Sequence, residues 1–163
     1  MSQNADTLLA TFYENFQQRN PDGMIACYHP EVTFHDPVFQ TLHGPAVGAM
    51  WRMLLQSNAS LVVTFDAITL DGDRGSAHWE ARYVFSQTGR PVHNIVTAHF
   101  RLRDHRIIEH RDDFNLWRWA GMALGRRGSL LGWTPLVQGA IRRQAQGRLQ
   151  RFMARTPANS ATV

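Results

Sequence analysis

Residues 90–116, RPVHNIVTAHFRLRDHRIIEHRDDFNL, decide the fold class of this chain. Polar and apolar side chains alternate on both sides of residues 104–105, and such alternation is typical of strands with one buried face. Residues 91–103 and 106–116 are joined by only two residues, so they should pair as antiparallel neighbours. The stretch therefore predicts an antiparallel sheet with one face turned toward a core.

The sequence before this hairpin predicts three helices and three more strands. Apolar residues recur at helical spacing over residues 6–19, with Asp6 as a suitable N-cap. Helices that come first and a sheet that follows indicate an α+β fold. The other predicted helices cover residues 24–28 and 44–55, and the other predicted strands cover residues 32–37, 61–70 and 76–86.

Size and composition exclude several classes of protein. A chain of 163 residues with 44% hydrophobic residues is the size of one domain and can bury a core. It has no apolar run of about 20 residues, its start is polar rather than signal-like, and its single cysteine, Cys27, excludes an internal disulfide. We expect a cytoplasmic protein. All 17 basic residues are Arg, so lysine chemistry at a side chain is excluded.

Charge divides the chain into a main domain, residues 1–117, and a basic extension, residues 118–163. No acidic residue occurs after Asp113, whereas eight arginines do. A Gly/Arg-rich segment, residues 121–132, precedes a predicted amphipathic helix that starts at Pro135, and residues 157–163 should fray. We favour packing of this helix on the domain or on a second subunit. Peripheral contact with an anionic membrane comes next, and nucleic acid is the least favoured partner.

Four polar residues fall on the strand face that is otherwise apolar: Asp36, Asn94, His110 and Asp112. Burying ionisable groups is costly unless they are paired, are neutral or line a cavity. His110 and Asp112 stand two residues apart, about 6.6 Å by strand rise, so both could reach one ligand. The pattern predicts an acid/base site of Asp36, His110 and Asp112, because an apolar cavity raises the pKa of a carboxyl toward neutrality.

Structural alternatives stay open at this point. Asp36, which precedes Pro37, is also suited to cap a turn, and His110 is also suited to be a core histidine bonded to Asp112. The histidines lack the spacing of metal ligands, so no metal site is predicted. The opposite face carries a charged ladder typical of a solvated or subunit-contact surface: Glu80, Arg82, Arg101 and Arg111.

The segments NPDG (20–23), VTFHDPV (32–38) and HG (43–44) resemble the ketosteroid isomerases. These belong to the nuclear transport factor 2-like superfamily, together with the SnoaL-like polyketide cyclases and the limonene epoxide hydrolases. The resemblance covers about residues 6–116. It implies a cone, in which a strongly bent antiparallel sheet and three helices surround a deep hydrophobic pocket.

The resemblance also implies roles for single residues. Asp36 matches the isomerase general base, and Trp51 matches an aromatic pocket wall on the third helix. Asp112 matches the working aspartate of the hydrolases and cyclases. At the two positions of the isomerase oxyanion hole, however, this chain has Phe12 and Ala98. Since each lost oxyanion donor costs roughly 10²–10³ in rate, steroid isomerisation by the family mechanism is not expected.

The expected function is therefore binding of a small hydrophobic molecule, with acid/base chemistry of the isomerase, cyclase/lyase or epoxide-hydrolase type. His110 would polarise an oxygen of the substrate, and no cofactor is required. The alternative is a non-catalytic binding or dimeric scaffold module of the same fold. We also expect a homodimer through the outer face of the sheet. The predicted substrate-binding residues are Phe12, Trp51, Trp79, Tyr83, Phe85, Asn94, Phe100 and Phe114.

Overall fold

The computed structural model describes residues 2–155, with side chains from Thr7 onward. Within that range the chain forms six helices and six strands, and the predicted α+β cone fold is confirmed. The helices are α1 (Ser2–Gln17), α2 (Pro21–Ala26), α3 (Pro45–Ser57), α4 (Leu116–Leu124), α5 (Arg126–Leu131) and α6 (Pro135–Arg155). The strands are β1 (Tyr28–Asp36), β2 (Gln40–His43), β3 (Val62–Asp71), β4 (Arg74–Phe85), β5 (Arg90–Arg103) and β6 (Arg106–Asp113).

The strands form one sheet in the order β2-β1-β6-β5-β4-β3. The hairpin predicted from residues 90–116 pairs antiparallel, with Phe100 opposite His110 and Ala98 opposite Asp112. One pair departs from the antiparallel prediction, because β1 and β6 run parallel with Phe34 opposite His110. Local alternation shows which face of a strand is buried, but it carries no information about which distant strand lies beside it.

The core fills the concave side of the sheet. Helix α1 buries Leu9, Phe12 and Phe16, which lie on one helical face. The ring of Phe16 packs edge-on against Trp51 of α3 and Trp79 of β4, with centroids 5.1 and 5.2 Å away. These contacts join α1 and α3 to the sheet.

Several predicted boundaries are wrong in the first third of the chain. Helix α1 begins at Ser2, so Asp6 is not its N-cap; the side chains before Thr7 lie outside the described part. Helix α2 covers Pro21–Ala26 rather than residues 24–28, because the Asn20 side chain accepts a hydrogen bond from the backbone of Gly23 and starts the helix earlier.

The sequence analysis also missed β2. The Asp36 side chain accepts hydrogen bonds from the backbone N–H groups of Val38 and Phe39, an arrangement that turns the chain back on itself. Gln40 then adopts a φ of 59° and starts the short strand that pairs with the end of β1. Strand β1 accordingly ends at Asp36, one residue before the predicted end at Pro37.

The outer face of the sheet carries the predicted charged ladder. Glu80 pairs with Arg82 and His93, and Arg101 pairs with Glu109 on the neighbouring strand. These exposed ion pairs are satisfied within one chain, and each contributes little to stability. The homodimer through this face stays a prediction.

The basic extension is more helical than the sequence indicated. Strand β6 ends at Asp113, and the Asn115 side chain accepts a hydrogen bond from the backbone of Arg118 to start α4. The end of α4 and all of α5 lie in the Gly/Arg-rich segment, residues 121–132, for which no helix was predicted, and Gly125 stands between the two helices at a φ of 68°. Residues 157–163, where fraying was predicted, lie outside the described part.

Helix α6 packs on the cone. Its predicted apolar stripe faces the domain: Leu149 is buried, and Ala145 and Phe152 pack against the same core. The guanidinium of Arg142 donates from Nε to the carbonyl of Pro37 over 3.0 Å. The helix is therefore tied to the turn that follows Asp36. No helix in residues 2–155 has the length and apolar character needed to cross a membrane.

We expect Leu149→Ala to lower the free energy of unfolding by about 2–5 kcal/mol, since the side chain is 4% exposed and its removal leaves a void between α6 and the cone. Leu136→Ala is the matched control on the same helix; Leu136 is 78% exposed, so the change should stay within about 0.5 kcal/mol. Denaturant unfolding measures both. Equal effects of the two changes would contradict the packing of α6.

Candidate active site

A cavity of about 310 Å³ lies between the concave face of the sheet, α3 and α6. Its wall is mostly apolar, which suits a small hydrophobic molecule. Asp36 and Asp112 both line it. Of the predicted substrate-binding residues, six line the cavity: Trp51, Trp79, Tyr83, Phe85, Asn94 and Phe114.

Phe12 and Phe100 are not among the residues that line this cavity, and their role in substrate binding stays a prediction. Their rings instead surround the imidazole of His110, with centroids 5.5 and 4.4 Å away. Both side chains are buried, Phe12 on the apolar face of α1 and Phe100 on the inward face of β5. Strand parity places Phe100 on the inner face but does not show whether an inward side chain meets the cavity.

Asp36 combines the two roles that the sequence left open. It caps the turn after β1 through Val38, whose N–H lies 2.8 Å from Oδ1, and it also lines the cavity. The net pKa of Asp36 is raised to about 7: burial raises it most, the backbone hydrogen bonds from Phe39 and Val38 lower it, and the charge of Asp112 raises it. Near neutral pH this carboxyl can therefore either take or give a proton.

Asp112 is held by two ring N–H groups. Its Oδ1 lies 3.0 Å from Nε2 of His110 and accepts a hydrogen bond from Nε1 of Trp79 over 3.2 Å. Asp112 is 2% exposed and lies on the cavity wall. Since both contacts go to Oδ1, Oδ2 is the oxygen left for a molecule in the cavity.

A chain of hydrogen bonds surrounds His110. Nε1 of Trp51 can only donate, so the Tyr28 hydroxyl accepts there; with a neutral imidazole that donates from Nε2 to Asp112, the hydroxyl gives its own hydrogen to Nδ1 of His110, 2.7 Å away. Burial raises the pKa of Tyr28 well above 10, which keeps that hydrogen in place. His110 then carries its proton on Nε2 and donates to Asp112. We assign this tautomer from the donors and acceptors present.

His110 does not line the cavity and is 2% exposed. Its predicted role of polarising a substrate oxygen stays a prediction. Its surroundings fit the alternative interpretation, a core histidine bonded to Asp112. From this position His110 would act on a molecule in the cavity by orienting Asp112, as a positioning residue.

Asp36 and Asp112 are neighbours because of the parallel strand pair. Phe34 of β1 pairs with His110 of β6, and each aspartate stands two residues further along its own strand. The carboxylates thus project to the same side of the sheet at the same level, and Asp112 raises the pKa of Asp36. Two coupled carboxyls with different surroundings are a suitable pair for acid/base chemistry.

Sequence analysis missed three side chains of this region. Tyr28 lies four residues before Val32, on the same strand parity, and that parity was the signal available. Gln144 and Arg148 of α6 reach the cavity, and no local pattern predicts this. Of the described residues that line the cavity, Arg148 is the one cation.

The positions of the isomerase oxyanion hole are apolar and buried here, since Phe12 and Ala98 are both 0% exposed. The neighbouring Tyr13 is also buried, and its hydroxyl has no hydrogen-bond partner within the described residues. Tyr13 does not line the cavity. In residues 2–155, no group of three or more His, Cys, Asp or Glu side chains is arranged to hold a metal ion.

The order of elements, the cavity and the two carboxylates can be compared with known proteins. The sequence profile of the SnoaL-like domain family matches residues 9–110, which is more than half of the chain. The chain belongs to the SnoaL-like domain family. The matched region includes the second half of α1, α2, α3, the first five strands and most of β6, so α4, α5 and α6 lie outside the matched residues. No curated protein sequence matches this SnoaL-like chain.

Solved structures share the fold at low sequence identity. TerC, co-crystallised with polyporic acid, is 15% identical with a TM-score of 0.65, over 74% of this chain and 98% of that one. An LEH-like epoxide hydrolase from M. tuberculosis is 18% identical with a TM-score of 0.61, over 82% and 97%. A protein from Catenulispora acidiphila with a ketosteroid isomerase-like fold, in complex with trimethylamine, is 16% identical with a TM-score of 0.64, over 78% and 97%. These likenesses show the SnoaL-like fold and not the activity.

Proposed function

We propose that this protein binds a small, largely apolar molecule that carries a carbonyl or epoxide oxygen, and transfers protons on it with Asp36 and Asp112. The observation that carries the proposal is the placing of two carboxyls in one apolar cavity, with the pKa of Asp36 raised to about 7. A carboxyl whose pKa lies near the working pH is well suited to general acid/base catalysis. The reaction class is isomerisation, cyclisation or lyase chemistry, or epoxide hydrolysis.

Asp36 acts as the proton carrier in this proposal. As a base it takes a proton from a carbon next to the carbonyl, or from water, and later returns that proton to the product. The negative charge of Asp112 favours the protonated form of Asp36 and so makes its carboxylate a stronger base. Asp112, held through Oδ1 by Trp79 and His110, presents Oδ2 to orient water or the substrate.

Negative charge that develops on the substrate oxygen needs a donor, and Phe12 and Ala98 cannot provide one. Asn94 and Arg148 line the cavity and carry N–H donors, the second with a full positive charge. We assign to Asn94 and Arg148 the stabilisation of this negative charge, because both line the cavity and His110 does not. Because Arg148 belongs to α6, the helix that follows the family's domain would then take part in the chemistry.

Hydrogen exchange in D₂O tests proton transfer without a known product. A panel of small apolar ketones is incubated with the protein, and loss of α-proton signals is followed by NMR. An apolar epoxide panel is assayed for diol formation. Asp36→Asn and Asp112→Asn should each lower the rate by about 10²–10⁴. Asp71→Asn, on the exposed end of β3, is the matched control and should leave the rate unchanged.

Fluorescence of the cavity tryptophans measures binding in parallel. The absence of family oxyanion donors at Phe12 and Ala98 favours the second candidate function, a binding module without catalysis. Saturable quenching with no exchange and no hydrolysis would support that candidate and reject the enzyme. Neither binding nor turnover across both panels would contradict both candidates.

A further inference from the structure

Five large apolar side chains lie exposed around α5, outside the SnoaL-like domain. Their exposed fractions run from 49% for Trp117 to 78% for Leu136. They fall within one short segment, residues 117–136, and exposed apolar side chains that cluster on a surface usually mark an interaction site. We call the set the Trp patch: Trp117, Leu130, Leu131, Trp133 and Leu136.

The Trp patch is one ordered surface. Nε1 of Trp117 donates to the carbonyl of Ser129 over 2.9 Å, which joins the start of α4 to α5. Nε1 of Trp133 donates to the carbonyl of Leu130 over 3.1 Å. Both indole N–H groups are thus used inside the protein, so the rings present mainly carbon to solvent.

The surroundings of the patch are positively charged and have no counterions of their own. Arg118, Arg126 and Arg127 are exposed beside it, and no acidic residue occurs from residue 114 to residue 155. Among the described residues, every arginine that forms an ion pair belongs to the cone. These arginines are Arg52, Arg82, Arg101, Arg103 and Arg111. The patch therefore combines exposed indole and leucine side chains with unpaired guanidinium groups.

We propose that the Trp patch docks this protein on the anionic surface of a lipid bilayer. Tryptophan and leucine partition into the headgroup boundary, and arginines beside them attract acidic lipids. A second copy of the chain is a poor occupant, because a two-fold contact would bring the same arginines face to face with no acids between them.

The proposal relocates the membrane contact that the sequence suggested for the basic helix. The apolar stripe of α6 faces the cone and the cavity, so it is not available to a bilayer. Leu136 belongs to the patch, while Val137, the next residue, lines the cavity. Docking would thus place the start of α6 between the lipid surface and the binding site.

Vesicle flotation tests the docking. At low salt the protein should bind and float with vesicles of phosphatidylcholine and phosphatidylglycerol in equal parts. Much less protein should bind to vesicles of phosphatidylcholine alone. The double variant Leu130→Ser, Trp133→Ser should bind at least about tenfold more weakly, since it removes two interfacial side chains. Val62→Ser, Ile95→Ser is its control, because both side chains are exposed on the strands of the cone.

A second pair of variants tests the charge. Arg126→Gln, Arg127→Gln should weaken binding roughly fivefold for each arginine at low salt. Arg74→Gln, Arg106→Gln, two exposed arginines of the cone, should leave binding unchanged. Circular dichroism of each variant checks that it is folded.

Lack of flotation on the anionic vesicles at low salt would overturn the proposal. So would binding that the patch variants and their controls lose equally. Self-association that depends on protein concentration and disappears in Leu130→Ser, Trp133→Ser, without vesicle binding, would assign the patch to a second copy instead. None of these outcomes depends on whether the cavity is catalytic.

Discussion

Asp36→Asn is expected to make the protein more stable than the wild type at about pH 8 and to leave it nearly unchanged at about pH 4. The folded-state pKa of Asp36 is about 7, above its ordinary value of 3.8. Between these values the folded state binds more protons than the unfolded state, so the free energy of unfolding falls as the pH rises. Above the folded pKa the full penalty of a buried carboxylate is present, at most about 4 kcal/mol.

Asparagine is a suitable replacement because it cannot ionise and still offers Oδ1 to the N–H groups of Val38 and Phe39. Denaturant unfolding over this pH range gives the free energy of unfolding of both proteins. Asp71→Asn, at an exposed site, serves as the control and should follow the wild-type profile. Parallel pH profiles for Asp36→Asn and the wild type would contradict the raised pKa.

His110→Ala should lower the free energy of unfolding by about 3–5 kcal/mol. The change removes a ring packed between Phe34 and Phe100, with centroids 5.1 and 4.4 Å away, and leaves a cavity. It also deprives the Tyr28 hydroxyl of its acceptor and Asp112 of a donor. Both losses occur in the interior, where an unpaired polar group is most costly.

His110→Gln separates hydrogen bonding from packing. A glutamine amide offers one acceptor and one donor, so it can accept from Tyr28 and donate to Asp112. We expect it to recover part of the stability lost in His110→Ala and, if Asp112 must be oriented for catalysis, part of the activity. Equal losses in the two variants would show that the hydrogen-bond chain contributes nothing beyond ring packing.

The burial of the polar residues could be predicted from the sequence. Asp36, Asn94, His110 and Asp112 were placed on the apolar face by strand parity, and each is at most 9% exposed. Parity is a local property, since successive side chains of a strand must point to opposite sides. The resemblance to the cone-shaped superfamily added the helices around the sheet, and the family assignment agrees with it.

The division of these buried residues between cavity and core could not be predicted in the same way. His110 and Asp112 share a parity, yet only Asp112 reaches the cavity. Phe12 and Phe100 also point inward but lie around His110. Depth within a cone depends on how strongly the sheet bends and on which side chains fill its narrow end, and both depend on residues far apart in sequence.

The sequence by itself determined the α+β class, the buried faces of the strands and the concentration of arginine after residue 117, because these depend on neighbours in the chain. Tertiary structure alone decided that β1 lies parallel to β6, which brings Asp36 beside Asp112, and that α6 contributes Arg148 to the cavity. These contacts join segments many residues apart. Such pairings are selected by the burial of the whole core, which no single stretch of sequence encodes.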